Sequence, residues 1–217
     1  MNTKRILTWG GFILIIVLIV WGLIAAANKA EKENAGLASV DEITATDWVK
    51  GATSSSITLV EYSDFQCPAC ATYSPVIEQL LAEKGAQFRF VYRHFPLPQH
   101  GHAIEASQAA EAAGEQGKFW EMHKILFETQ KDWESSVDAE SIFAGYAQQI
   151  GLEMAKYAVD VKSEENLEKI NNDTKSGLKA GVNSTPTFYL NGTKITPNSY
   201  EELKKLIDDA SATPANS

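Results

Sequence analysis

The sequence predicts an α/β fold: a β-α-β half and a β-β-α half on either side of a long helical block. Three observations carry this reading. An apolar, β-rich run at 57–62 (Ile-Thr-Leu-Val-Glu-Tyr) hands over to a helical pattern with Tyr73, Val76, Ile77, Leu80 and Leu81 on one side. Helical patterns then follow one another from about 103 to 179. Strand signals return only at Thr187, around an Asn-Gly pair.

The N-terminal stretch reads separately. Residues 6–27 are apolar and uncharged, and Lys4 and Arg5 precede them. About 20 such residues suffice to cross a bilayer as a helix. The positive-inside rule keeps the two cations in the cytoplasm. The expectation is a cytoplasmic stub and transmembrane signal-anchor over 1–27, with the rest of the chain outside. Ala25-Ala26-Ala27 could instead serve as a cleavage site, but the run is longer than a usual signal-peptide core, which favours an anchor. Either way the remainder is exported, to where disulfides persist. Residues 28–42 are polar and small and read as a linker. The formal charge of −9 and pI of about 5.0 argue against nucleic acid, whose phosphates want a basic face.

The folded domain is expected over 43–212, with 213–217 as a tail. Residues 47–51 read as the end of a short element and a turn, and 52–56 as a polar loop. The run at 57–62 is apolar enough for a central strand. The helix after it runs to about Lys84, stops at Gly85 and carries Pro75 inside it. Residues 87–93 alternate Phe88, Phe90 and Tyr92 with polar residues and give the next strand. Within the helical block, about 100–179, the alanine-rich 103–113 comes first. An aromatic helix around Phe119, Trp120 and His123 follows. Two more are centred on Phe143 and on 166–178. Then come a strand at 187–190, a turn at Asn191-Gly192, a strand at 193–195 and an amphipathic helix at 199–210. Ser199 and Glu202 form a capping-box pattern.

Cys67-Pro68-Ala69-Cys70 holds the only two cysteines of the chain and sits where the first strand meets the helix. Free N–H groups and the positive dipole end of a helix stabilise a thiolate there, and the thiolate is the nucleophile of thiol–disulfide exchange. Pro68 fits the first turn, and the spacing puts Cys70 on the same face as Cys67. A zinc half-site would need about two further ligands, and histidines alone could supply them. A structural bridge across so short a loop would stabilise little. Redox chemistry is the reading that remains. A Cu(I) site on the same sulfurs is a weaker alternative, because only three methionines are present.

Glu61 to Cys70 (Glu-Tyr-Ser-Asp-Phe-Gln-Cys-Pro-Ala-Cys) closely resembles the active-site segment of DsbA-like thioredoxin-fold proteins. The stretch 181–188 (Gly-Val-Asn-Ser-Thr-Pro-Thr-Phe) is similar to their cis-proline segment, and 119–123 to part of their helical insertion. The resemblance covers about 43–212. It implies a thioredoxin fold with an α-helical insertion and the activity of a thiol:disulfide oxidoreductase, here as a membrane-anchored member. It implies Cys67 as the exposed attacking cysteine and Cys70 as the buried resolving one. Pro186 would be the cis-proline, presenting the backbone of Thr185 to an extended substrate segment beside Pro68 and Ala69. Glu61 stands six residues before Cys67, where such enzymes place a buried acid. Its pKa should be raised, which suits a proton acceptor for Cys70.

The family implies exported thiol-containing proteins as substrates and a membrane quinone-linked redox partner of the DsbB or VKOR type. No bound cofactor or metal is implied. One residue departs from the pattern. The family's namesake has histidine where this chain has Ala69, so the Cys67 pKa is expected below that of free cysteine but above that of a histidine-containing centre. The pair would then be a weaker oxidant, which leaves a reductase or isomerase as the alternative. His94, His100 and His102 cluster around one loop and read as polar surface rather than a metal site. His123 reads as a packed, hydrogen-bonded core histidine.

Overall fold

The computed structural model describes residues 20–22, 40 and 42–212. The apolar run at 6–27 lies outside the described residues, apart from three helical residues, Val20 to Gly22. Among the described residues no helix is long and apolar enough to cross a membrane.

The folded unit is a five-stranded mixed sheet with a helical block inserted beside it. Its strands are β1 (Trp48–Gly51), β2 (Thr58–Ser63), β3 (Arg89–His94), β4 (Thr187–Leu190) and β5 (Thr193–Ile195), in the spatial order β1-β3-β2-β4-β5. β2 and β3 run parallel, and the other neighbours are antiparallel. Every residue of β2 is buried, as its apolar run requires of a central strand. The helix α1 (Pro68–Lys84) makes the β-α-β crossover between β2 and β3. With the β4–β5 hairpin and the last helix, this is the thioredoxin fold.

The insertion comprises α2 (Ala103–Gly114), α3 (Phe119–Glu128), α4 (Gln130–Trp133), α5 (Ala139–Gln149), α6 (Met154–Asp160) and α7 (Glu164–Lys179). Two of these, α4 and α6, are too short to leave a periodic signal and were not separated in the sequence. The closing helix α8 (Tyr200–Ala212) packs on α1. Its start is half of the expected box: Ser199 Oγ accepts from Glu202 N at 3.2 Å, but Glu202 Oε2 accepts from Asn198 N at 2.9 Å, one residue before the cap. Asn191 and Gly192 both have positive φ, 48° and 79°, as a primed hairpin turn demands.

One expectation is corrected. Residues 48–51 form an edge strand against β3 rather than the end of an element and a turn. Lys50 pairs with Glu78 at 2.7 Å, and Trp48 stacks on Phe119 at 4.2 Å and donates Nε1–H to Glu111 at 2.7 Å. These partners are distant in sequence, so four residues alone carry no strand pattern.

Strand alternation sends β2 side chains to two different cores. Leu59 joins the larger cluster, with Phe65, Cys70, Phe90, Tyr92 and the insertion helices. Val60 and Tyr62 join a smaller one on the other face, with Val91, Phe95 and Tyr189. Beside that second face lies a buried ion pair, Arg93 Nε to Asp47 Oδ1 at 2.7 Å. Glu61 has the parity of Leu59 and therefore faces the cysteines.

Candidate active site

The dithiol stands at the junction of β2 and α1. Cys67 is the N-cap of α1, in extended conformation, and Pro68 opens the helix. Both cysteines are free thiols. Cys70 is fully buried, and Cys67 is only 7% exposed. The expectation of an exposed attacking cysteine is thus corrected. The segment around the cis Thr185–Pro186 bond covers the sulfur, and Cys67 Sγ donates to the Thr185 carbonyl at 3.4 Å. Pro68 and Ala69 are exposed on the first turn of α1, Thr185 is buried and Pro186 is half-buried.

The two sulfurs differ electrostatically. The Cys67 thiol is pulled down to about 5, chiefly by a hydrogen bond with Cys70. Burial opposes this, while hydrogen bonds with Thr185 and the backbone N–H groups of Cys70 and Ala69 assist. Burial pushes the Cys70 thiol well above its ordinary value, with the hydrogen bond to Cys67 and the charge of Glu61 acting in the same direction. Asp64 N–H also points to Cys70 Sγ, at 3.5 Å. One sulfur is therefore a ready thiolate and the other a reluctant one.

Glu61 is buried, as expected of a carboxylate in the middle of a central strand. Desolvation raises its pKa to about 7, against a lowering bond from Ser63 Oγ at 2.7 Å. At neutral pH such a group can both take and return a proton.

The turn before the cysteines is fixed from several sides. The Asp64 carboxylate accepts from Gln66 N, Leu97 N and His100 Nδ1, at 2.7, 2.8 and 2.7 Å. Gln66 donates Nε2–H to Glu134 O and accepts from His102 N. Gln130 Nε2 donates to Phe65 O and Cys67 O. His100 is therefore a buttress of the site rather than plain surface. Sequence reasoning missed Asp64, Gln66 and Gln130 in these roles, because their partners lie 33 to 68 positions away or are backbone atoms. Of the other histidines, His94 is buried against Glu111 at 2.7 Å, and His102 pairs with Glu105. His123 is caged by Phe65, Tyr92, Phe119, Trp120 and Phe127. The packed core position is as expected, but among the described residues its Nδ1 finds no hydrogen-bond partner, and burial lowers its pKa to about 3.

A cavity of about 260 Å³ opens beside Pro186, lined by Tyr73, Phe188, Lys194, Ile195 and Pro197 among others. It lies along β4 and β5, next to the segment that covers Cys67.

A family model described as thioredoxin matches residues 43–209. BdbD from Bacillus subtilis, in its oxidised form, superposes with a TM-score of 0.70 at 23% identity, over 81% of this chain and 98% of its own. A thioredoxin-like oxidoreductase from Silicibacter pomeroyi gives 0.68 at 25% identity, over 78% and 95%. Wolbachia pipientis alpha-DsbA1 gives 0.68 at 19%, over 78% and 92%. Curated relatives matched in sequence include proteins named Na(+)/H(+) antiporter NhaA. The Salinispora arenicola protein of that name is 35% identical over 147 residues, 67% of this chain. The chain spans about a quarter of the length of these relatives.

Proposed function

The chain belongs to the thioredoxin family, with a DsbA-like fold, and we propose that it is a protein thiol–disulfide oxidoreductase that introduces disulfides into exported proteins. The observation that carries this reading is the asymmetry of the sulfurs: a depressed Cys67 at the start of α1 and a raised, fully buried Cys70 behind it. In the oxidised enzyme, a substrate thiolate attacks Sγ of Cys67. The Cys67–Cys70 bond breaks, and Cys70 leaves with the electron pair. Glu61 supplies the proton that neutralises it. A second substrate thiolate then attacks the substrate sulfur of the mixed disulfide. Cys67 leaves as a thiolate, which its low pKa makes a good leaving group.

Catalysis rests on Cys67 and Cys70, with Glu61 as proton exchanger. The edge of Thr185 and Pro186, with Pro68 and Ala69, meets the substrate backbone. The domain acts outside the cytoplasm, tethered by the apolar run at 6–27 and the linker at 28–42. A membrane quinone-linked partner of the DsbB or VKOR type restores the disulfide. The run's uncharged length, the two preceding cations and the dithiol itself support that placement.

A disulfide reductase or isomerase is the second reading, and Ala69 favours it. An exposed methyl group supplies neither charge nor donor to the thiolate beside it. Trapping the thiols of intact cells by alkylation separates the two. A mostly oxidised Cys67–Cys70 pair supports the oxidase, and a mostly reduced pair supports the reductase or isomerase. A Cys67→Ser protein as active as the parent would remove both.

A further inference from the structure

Asp64 opens the active-site turn, and each of its polar atoms is bonded. Its main-chain N–H donates to Cys70 Sγ at 3.5 Å. Its carbonyl accepts from Cys67 N at 3.1 Å. Of the carboxylate oxygens, Oδ1 accepts from Gln66 N at 2.7 Å, and Oδ2 accepts from Leu97 N at 2.8 Å and from His100 Nδ1 at 2.7 Å. One residue thus joins the loop after β3 to the buried sulfur. The carboxylate is wholly shielded from water, while His100 is 18% exposed. A shielded carboxylate is costly unless donors and opposite charge meet it. Gln66 and Leu97 offer neutral amides, whereas His100 offers a ring that can also carry charge.

The Cys70 sulfur bears negative charge in both directions of the redox cycle. It leaves as a thiolate when the disulfide opens and attacks as a thiolate when a mixed disulfide closes. The Asp64 N–H is already aimed at it, so no reorganisation is needed when the charge arrives. That aim depends on the carboxylate, which pins residue 64 to the loop. The carboxylate's own charge opposes a nearby thiolate. A donor on Oδ2 therefore acts twice: it fixes the peptide, and it draws carboxylate charge away from the sulfur.

We propose that His100 is a positioning residue of the dithiol centre, whose Nδ1–H holds the Asp64 carboxylate and, through it, the main-chain N–H that receives the charge of the Cys70 thiolate. The proposal rests on the redox reading above. When a mixed disulfide on Cys67 closes, the Cys70 thiol gives its proton to the Glu61 carboxylate. Its sulfur then bonds to Cys67 Sγ, and the thiol held there leaves with the electron pair of the broken bond. His100 keeps its Nδ1 proton throughout. Without His100 the N–H is held less firmly and the carboxylate charge is less offset. Both changes make the Cys70 thiolate harder to form, so they share one sign.

Other titratable groups face this region. Glu61 of β2 and Cys67 of α1 act on Cys70, and Tyr92 of β3 faces Asp64 and Cys70. His94 of β3 is held by Glu111, His102 is held by Glu105, and His123 of α3 lies against Phe65. They are common to wild type and variants.

The experiment uses the full-length protein with an aromatic thiol attached to Cys67 as a mixed disulfide. The rate at which Cys70 expels that thiol is followed against pH in wild type, His100→Leu and His100→Asn. In His100→Leu the midpoint should lie about one pH unit higher, with a rate about tenfold lower on the acid side. His100→Asn places an amide N–H where Nδ1 stood and should stay close to wild type. Superimposable profiles for wild type and His100→Leu overturn the proposal. A uniform slowing with an unmoved midpoint overturns it too, and so does a His100→Asn protein as slow as His100→Leu. If the variants do not fold, nitrogen-15 resonances of the Cys67→Ala protein decide. Movement of both the Asp64 amide and His100 Nδ1 as Cys70 ionises supports the proposal, and either one staying flat overturns it. A Cys67→Ser protein with full oxidoreductase activity would sink the redox reading instead, while the two resonances still report on the link to Cys70.

Discussion

Gln130 reaches out of the helical insertion and bridges two carbonyls of the active-site turn, donating Nε2–H to Phe65 O at 2.7 Å and to Cys67 O at 3.1 Å. The side chain is buried, so water cannot replace it. Gln130→Ala leaves both carbonyls without this donor in a dry site. A loss of about 1–3 kcal/mol in unfolding free energy is expected by urea denaturation. Faster alkylation of Cys67 should accompany it, because the turn loses its clamp.

The Cys67 thiolate should form with a midpoint of about 5 in the reduced protein, read by ultraviolet thiolate absorbance. Ala69→His places a donor and a potential cation one residue before Cys70. The midpoint should then fall further, and the pair should become a stronger oxidant. An unchanged midpoint would show that the residue at 69 does not set the poise.

The same thiol makes stability depend on redox state and pH. Its folded pKa lies below the unfolded thiol range. Between the two values the folded dithiol binds fewer protons than the unfolded chain, so it gains stability as pH rises through that window. The gain is full near the ordinary thiol pKa of about 8.5 and is lost as pH falls through about 5. Above that range the raised Cys70 acts in the opposite sense. The oxidised protein has no thiol to titrate. Guanidinium unfolding of both forms should therefore show the reduced form losing its advantage from about pH 8 down to pH 5.

His123 gives a separate acid-side effect. Its folded pKa of about 3 lies below the unfolded value of about 6.5. It therefore contributes stability that is full above the unfolded value and lost as pH falls toward the folded one. His123→Phe keeps an aromatic ring among Phe65, Tyr92 and Phe127 and removes the titration. The difference in unfolding free energy between the two proteins should change steadily in the variant's favour across that window. A constant difference would show that His123 does not set it.

What the sequence made legible follows from locality. The hairpin turn depends on two adjacent residues, Asn191 and Gly192, and was read directly. The helix after the cysteines and the position of Glu61 in a buried strand follow from patterns within about ten residues. The supports of the site were hidden because they are long-range. Gln66 meets Glu134 68 positions away, and His100 meets Asp64 36 positions away. The near-complete cover on Cys67 was hidden for the same reason, since the segment at Thr185 lies 118 positions downstream. Edge strand β1 failed differently, because it is held by pairing to β3 and by the long-range contacts of Trp48 and Lys50 rather than by any pattern of its own.

The parity of β2 acts as a chemical setting. Tyr62 lies opposite Arg93, and Glu61 lies opposite Tyr92. Because strand side chains alternate with a period of two, a slip of one residue would exchange the faces. Glu61 would then turn toward the guanidinium of Arg93, where a carboxylate stays ionised and has no reason to take a proton. Cys70 would face a tyrosine in its place. A chain misfolded by a single step would keep its cysteines, yet carry a dithiol with no proton store. The alternation of Val60, Glu61 and Tyr62 thus guards the chemistry as well as the packing.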